Sequence, residues 1–176
     1  GRVKYSSFDG TFDCDILFLN CGRRDFIDTA QLNSFVQHGG VLYASDLTSG
    51  IVYNTWPGIM NYVNNTEPCT IKARIEDPDL KQYLGSRINI EFDLGGWSKI
   101  VGDSQGKVLM RSAKDGFPIM MEFTIGQGKV FYTSFHNHAQ TADSEKKLLQ
   151  LLVIKQVSIA TKQDFRKTVQ SMRFSI

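Results

Sequence analysis

The sequence predicts one α/β domain: a mostly parallel sheet flanked by helices, with an antiparallel hairpin late in the chain. Two features carry that expectation. An apolar run, "DILFLN", gives way to a segment of helical period, "DFIDTAQLNSFVQHGG", and then to a second apolar run, "VLYAS". Strand, helix and strand joined this tightly form a βαβ unit, whose right-handed crossover makes the two strands parallel. Further on, "FPIMMEFTIGQGKVFYTSF" places two strand-forming runs around "GQG", a hairpin signal.

In the first unit, Ile16, Leu17, Phe18 and Leu19 are contiguous apolar residues, which reads as a buried strand stopped by Asn20 and Gly22. Ile27, Ala30, Leu32, Phe35 and Val36 share one broad helical face, and Gly39 and Gly40 end that helix. Residues 41–45 return to a short buried strand. Ligands of such sheets sit beyond the carboxyl ends of the strands, which here carry "NCGRRD" and "SDLTSG".

The middle of the chain is less regular. Pro57 and Gly58 interrupt "GIVYNTWPGIMNYVN", which reads as a helical turn followed by a longer irregular or helical piece. "CTIKARI" alternates Ile71, Ala73 and Ile75 as a half-buried strand, and "DPDLKQYLG" is a short helix with Asp77 as cap, Pro78 at its first position and Gly85 at its stop. "INIEFDLGGWSKIV" again alternates, with Ile88, Ile90 and Phe92 on one side and Asn89, Glu91 and Asp93 on the other. "GKVLMRS" is a further strand, ahead of the hairpin. Residues 143–157 form a strongly apolar helix through Leu148, Leu149, Leu151, Leu152 and Val153. A last segment spaces Phe165, Val169, Met172 and Ile176 as a helical stripe, with Lys162, Arg166, Lys167 and Arg173 elsewhere. It would cap the domain or dock on a partner. The organisation expected is therefore a domain over 1–157 and an amphipathic C-terminal helix over 158–176.

Composition narrows the function classes. Twenty basic against eighteen acidic side chains leave a net charge of +2, too little field to attract nucleic acid or a membrane surface. Three cysteines, Cys14, Cys21 and Cys69, are too few for a disulfide scaffold and point to a reduced, cytoplasmic setting. No apolar stretch is long enough to cross a bilayer. "NNT" at Asn64 fits the glycosylation pattern, a short match of low specificity. The start at Gly1 reads as a tag remnant or as a piece of a longer polypeptide.

The candidate chemistry lies at the strand ends. Ser45 and Asp46 stand where a hydrolase of this architecture turns sharply from strand to helix to expose its nucleophile, although no G-x-S-x-G surrounds Ser45. The plain alternative is a helix cap or a polar loop closure. Cys21 also ends a strand, and Arg23 and Arg24 could lower its pKa or hold an anion; such a cysteine otherwise serves as a small hydrophobe. His136 could act as a general base, with Asp143 or Glu145 downstream to orient it, but both acids also suit a helix start. His136 and His138 would share a side of an extended chain and offer two metal ligands, with Asp46 or Glu145 as a third. No run of the H-E-x-x-H kind supports a metal, and none is expected. Tyr53, Trp56 and Trp97 could line a cleft or fill a core. There is no P-loop and no G-x-G-x-x-G, and "GDSQGKV" has the wrong spacing to cradle phosphate, so no cofactor is expected.

Taken together, "FDCDILFLNCG", "FVQHGGVLYASD" and "FTIGQGKVFYTSFHNHAQ" resemble the class I glutamine amidotransferase-like superfamily, closest in look to its ThuA-like (trehalose-utilisation-type) branch. The resemblance covers residues 12–46 and 117–155 and implies a flavodoxin-like three-layer sandwich, with its first strand missing or atypical here. It puts the elbow at Ser45–Asp46, where amidotransferases carry a catalytic cysteine, and the catalytic histidine at His136. The acid two residues on falls at His138. Two of the three positions depart from the pattern, which implies a relative without the catalytic triad.

Three functions follow as expectations. One is a non-catalytic domain serving assembly or ligand binding, with a protein partner or the rest of a parent chain. The second is a hydrolase using Ser45 or Cys21 with His136. The third senses a small polar ligand lined by Asn20, Asp46, Trp56 and His136. In the first, His136 is a hydrogen-bonded cap between "YTSF" and the loops after residues 20 and 45.

Overall fold

The computed structural model describes residues 4–21, 27–102, 104–136 and 142–172. Its main sheet has seven strands: β1 (Ile16–Leu19), β2 (Val41–Ser45), β3 (Cys69–Ile75), β4 (Arg87–Phe92), β5 (Lys107–Ser112), β6 (Pro118–Ile125) and β7 (Gly128–Thr133). They lie in the spatial order β1-β2-β7-β6-β5-β3-β4. β1 pairs parallel with β2, Ile16 opposite Val41 and Leu19 opposite Ala44, as the βαβ reading expects. β2 pairs parallel with β7, Ser45 opposite Thr133.

The remaining four pairings are antiparallel, so parallel geometry is confined to the β1-β2-β7 segment that carries the candidate site. Connection length explains the difference, because a parallel return needs a crossover of about a dozen residues or more. β6 follows β5 after residues 113–117, and β7 follows β6 after Gly126 and Gln127. Such short links return the chain antiparallel. Gly126 takes φ +56°, and a Cβ at Gly128 would lie 2.2 Å from the Val36 carbonyl oxygen, so the hairpin turn packs directly on the end of the preceding helix.

That helix is α1 (Thr29–Gln37), capped by Asp28, whose carboxylate accepts from the Ala30 N–H at 2.8 Å. α2 (Ser49–Thr55) follows the elbow; α3 (Pro78–Leu84) is capped by Asp77 and stopped at Gly85, as expected. α4 (Asp143–Ala160) continues past residue 157, and α5 (Phe165–Ser171) is capped by Asp164.

Alternation along the strands divides the core in two. Val41, Tyr43 and Phe131 pack with Leu148 and Leu152 of α4 and with Phe165 and Val169 of α5. Leu42, Ala44, Val130 and Tyr132 pack with Leu32 and Val36 of α1 and with Ile51 and Val52 of α2. Helices thus cover both faces. All five residues of β2 are buried, whereas β1 is an edge strand with Phe18 exposed, a departure from the fully buried run expected.

Asn61–Val63, read from sequence as irregular or helical, is a short strand. It pairs antiparallel with Lys99–Val101 in a separate two-stranded sheet. The alternation read across 88–101 is therefore two strands. Gly95 and Gly96, the latter at φ +78°, break it and let the chain leave the main sheet. Among the described residues no helix is long and apolar enough to cross a membrane. Arg173 and Ile176 lie outside the described residues.

Candidate functional site

The carboxyl ends of β1, β2 and β7 meet at one place, and three side chains converge on it. Cys21 follows β1, Asp46 follows β2 and His136 follows β7 by three residues. The Cys21 sulfur, an Asp46 carboxylate oxygen and a ring nitrogen of His136 all lie within 4.8 Å of one another. The βαβ unit and the hairpin bring the three together because β2 lies between β1 and β7 with aligned parallel ends.

Asp46 occupies the elbow. Its backbone is left-handed, φ +47°, where the chain turns from β2 into a 3-10 turn (Asp46–Thr48) and on into α2. Aspartate tolerates that region better than most residues carrying a Cβ. The turn is fixed from both sides: Tyr132 Oη donates to the Asp46 carbonyl at 2.7 Å, and Thr48 Oγ1 donates to the Ser45 carbonyl at 2.9 Å. Burial pushes the Tyr132 phenol up, which keeps it a donor.

The Asp46 side chain is 2% exposed and fully engaged. Oδ1 accepts the backbone N–H of Ser98 at 2.8 Å, Oδ2 meets His136 Nε2, and the Cys21 thiol hydrogen-bonds to the carboxylate. Burial pushes the Asp46 carboxyl above its usual range. The Ser98 N–H, the His136 ring and the Cys21 thiol pull the other way without cancelling it. On its far side, His136 Nδ1 lies 3.6 Å from Asp93 Oδ1. His136 therefore sits between two carboxylates, and joins the loops after β1, β2 and the strand Arg87–Phe92, as the capping reading expects.

Residues 93–98 close over the elbow. Asp93 faces His136, Ser98 holds Asp46, and the Ser98 hydroxyl meets Ser49 Oγ of α2 at 2.9 Å. Trp97 anchors the segment: its ring lies 4.1 Å from that of Phe92 and its indole N–H donates to the Glu67 carbonyl at 3.0 Å.

The other sequence candidates fall elsewhere. Ser45 is buried at the end of β2, 1% exposed, and makes no side-chain cap to the turn that follows. Asn20 is exposed. Trp56 donates its indole N–H to Asn33 on α1 at 2.7 Å and packs in the α1–α2 core. Trp97 is core, and Tyr53 is a surface residue at 41% exposure. Asp143 and Glu145 start α4, where Glu145 accepts the Ala142 N–H at 2.9 Å. Arg23, Arg24 and His138 lie outside the described residues. Asp93 and Ser98 escaped the sequence reading. Asp93 reads as the polar face of a strand, and Ser98 contributes a backbone N–H, which no residue type announces.

No protein-family model and no curated protein matches the chain. Solved structures do. A ThuA-like protein from Bacteroides uniformis ATCC 8492 superposes with TM-score 0.63 at 14% identity, over 86% of this chain and 72% of that one. A GMP synthase subunit from Thermoplasma acidophilum superposes with TM-score 0.59 at 11% identity, over 90% and 77%. The fold is glutamine amidotransferase-like. The mmIFT52 N-terminal domain has the same fold, with TM-score 0.59 at 10% identity over 82% of this chain and 77% of that one. The chain also spans 20% of a β-galactosidase from Bacillus circulans sp. alkalophilus and 24% of an exo-β-1,4-mannosidase from Opitutaceae bacterium strain TAV5, with TM-scores of 0.49 and 0.47.

Proposed function

We propose that this is a non-catalytic amidotransferase-like domain, a flavodoxin-like three-layer sandwich that serves assembly or ligand binding within a larger protein or complex in the cytoplasm. The observation that carries this reading is the closed elbow. Acyl transfer from an amide needs a nucleophile that a substrate carbonyl can reach, with a base free to take its proton. The elbow side chain here is instead Asp46, 2% exposed and bound by Ser98, Cys21 and His136 at once. Ser45 beside it is equally buried. One structural neighbour, the mmIFT52 N-terminal domain, is itself a domain of a larger protein, which agrees with such a role.

The test is a panel of glutamine, amides and activated esters assayed with the unaltered chain and with Ser45→Ala, Cys21→Ala and His136→Ala. The expected result is no turnover that any of the three variants changes. Turnover abolished by Cys21→Ala or His136→Ala, with the fold intact by circular dichroism, would replace this reading with a hydrolase.

A further inference from the structure

Cys21, Asp46 and His136 present one thiol, one carboxylate and one imidazole at the same point, with ligand atoms within 4.8 Å of one another. A tetrahedral Zn2+ ion binds such donors at about 2.0–2.3 Å, so its ligand atoms stand about 3.3–3.7 Å apart. His136 Nε2 and Asp46 Oδ2 are in direct contact, and His136 is partly exposed, so modest rotation of its ring opens the trio to that spacing.

The surroundings of the trio have the form that metal ligands require. A ligating histidine commonly offers its second ring nitrogen to a carboxylate, which fixes the tautomer and raises the basicity of the first. His136 does so here: Nε2 faces the trio while Nδ1 faces Asp93 Oδ1 at 3.6 Å. A ligating carboxylate is likewise held by its other oxygen, and Asp46 Oδ1 is held by the Ser98 N–H at 2.8 Å. Two of the three donors therefore have an orienting partner on the oxygen or nitrogen that a metal would not use. Charge points the same way. With Cys21 as thiolate, the trio and Asp93 together carry three negative charges around one neutral imidazole, a balance that a divalent cation offsets.

We propose that Cys21 Sγ, Asp46 Oδ2 and His136 Nε2 form a binding site for a thiophilic divalent transition metal, Zn2+ in the first instance, with Asp93 as the positioning carboxylate on His136. Thiolate and imidazole donors select against Mg2+ and Ca2+, which take oxygen ligands. Three protein donors leave a fourth position for water or another ligand. The ion would tie the ends of β1, β2 and β7 together at the elbow. The site is independent of hydrolysis, so it stands or falls separately from the assembly role.

Co2+ is the probe, because a thiolate–Co2+ bond gives a near-ultraviolet charge-transfer band. The full chain, stripped with a chelator, is titrated with Co2+ and then with Zn2+ as competitor. One equivalent of Co2+ should produce the band, Zn2+ should bleach it, and Zn2+ should raise the melting temperature. Cys21→Ser should abolish the band, whereas Cys14→Ser and Cys69→Ser, which alter exposed cysteines, should keep it. Asp93→Asn, at a side chain 43% exposed, should leave the fold intact and weaken Co2+ binding by about 10–100-fold. Absence of the band, its survival in Cys21→Ser, or undiminished affinity in Asp93→Asn would each overturn the site.

Discussion

The carboxylate of Asp46 accepts the backbone N–H of Ser98 at 2.8 Å, joining two residues 52 apart in sequence at the buried end of the parallel strands. The bond holds residues 93–98 over the elbow and satisfies an amide that would otherwise be buried without a partner.

Asp46→Ala should therefore lose this acceptor while keeping the left-handed backbone. An unsatisfied buried donor costs about 1–3 kcal/mol and an alanine in that conformation about 1 kcal/mol more, so a loss of about 2–4 kcal/mol is expected in urea unfolding. Asp46→Asn keeps an acceptor and suits the backbone, and should lose less than half as much. Equal losses for the two variants would show that the charge, and not the Ser98 bond, is what the fold uses.

The βαβ unit, the late hairpin, both aspartate-capped helices Thr29–Gln37 and Pro78–Leu84, and the strand at 69–75 were all legible. Each rests on local signals: period, turn glycines and caps. The antiparallel half of the sheet was not, because pairing across β3, β4 and β5 is decided by long-range packing that no local period records. At the site, Cys21, Asp46 and His136 were each singled out as strand-end residues. Their convergence was not visible, since it depends on β7 lying beside β2. Asp93 and Ser98 enter through a loop whose path is set by Trp97 stacking on Phe92, a contact within the tertiary core.

Buried charge on the opposite face gives a pH-dependent prediction. Asp77 is buried; Lys155 Nζ reaches its Oδ1 at 3.1 Å and Lys107 Nζ its Oδ2 at 3.0 Å. Burial pushes the Asp77 carboxyl up, but Lys155, the Lys107 bond and the Leu80 N–H outweigh it and leave the group below its ordinary value of 3.8. A carboxyl depressed on folding contributes stability that is present above its unfolded pKa and lost as pH falls through the folded value. Stability should accordingly fall below about pH 4. Lys155→Met, which strands the buried carboxylate, should cost about 3–5 kcal/mol at pH 7 and distinctly less at pH 3. Urea unfolding at both values checks it; a deficit that does not shrink in acid would contradict the pairing.

Packing at the hairpin turn is tight enough to forbid one methyl group. A Cβ at Gly128 would stand 2.2 Å from the Val36 carbonyl and 2.3 Å from the Gly40 carbonyl, both backbone atoms that cannot rotate away. Gly128→Ala should destabilise by about 1–3 kcal/mol or more by pushing the turn off α1. Gly116→Ala is a useful contrast: its added Cβ meets nothing within 4 Å, though its φ of +76° still penalises it. If Gly128→Ala were the milder of the two in thermal unfolding, the contact between the turn and α1 would be wrong.

His136 provides the last test, since its ring is one of the groups that offset the burial of Asp46. A carboxyl whose pKa is raised on folding holds its proton more tightly in the native state. Its ionisation then costs stability as pH rises from the unfolded value of 3.8 through the folded one. Removing the His136 ring takes away a contribution that lowers the Asp46 pKa, so that window should widen upward. His136→Ala should therefore cost about 1–2 kcal/mol near neutral pH, where Asp46 must ionise without that partner. The cost should shrink toward pH 4, where a protonated Asp46 needs no countercharge. Denaturant unfolding of both proteins at pH 7 and pH 4 measures the two deficits. A deficit that stays constant or grows in acid would mean that His136 acts through packing rather than through the Asp46 carboxylate.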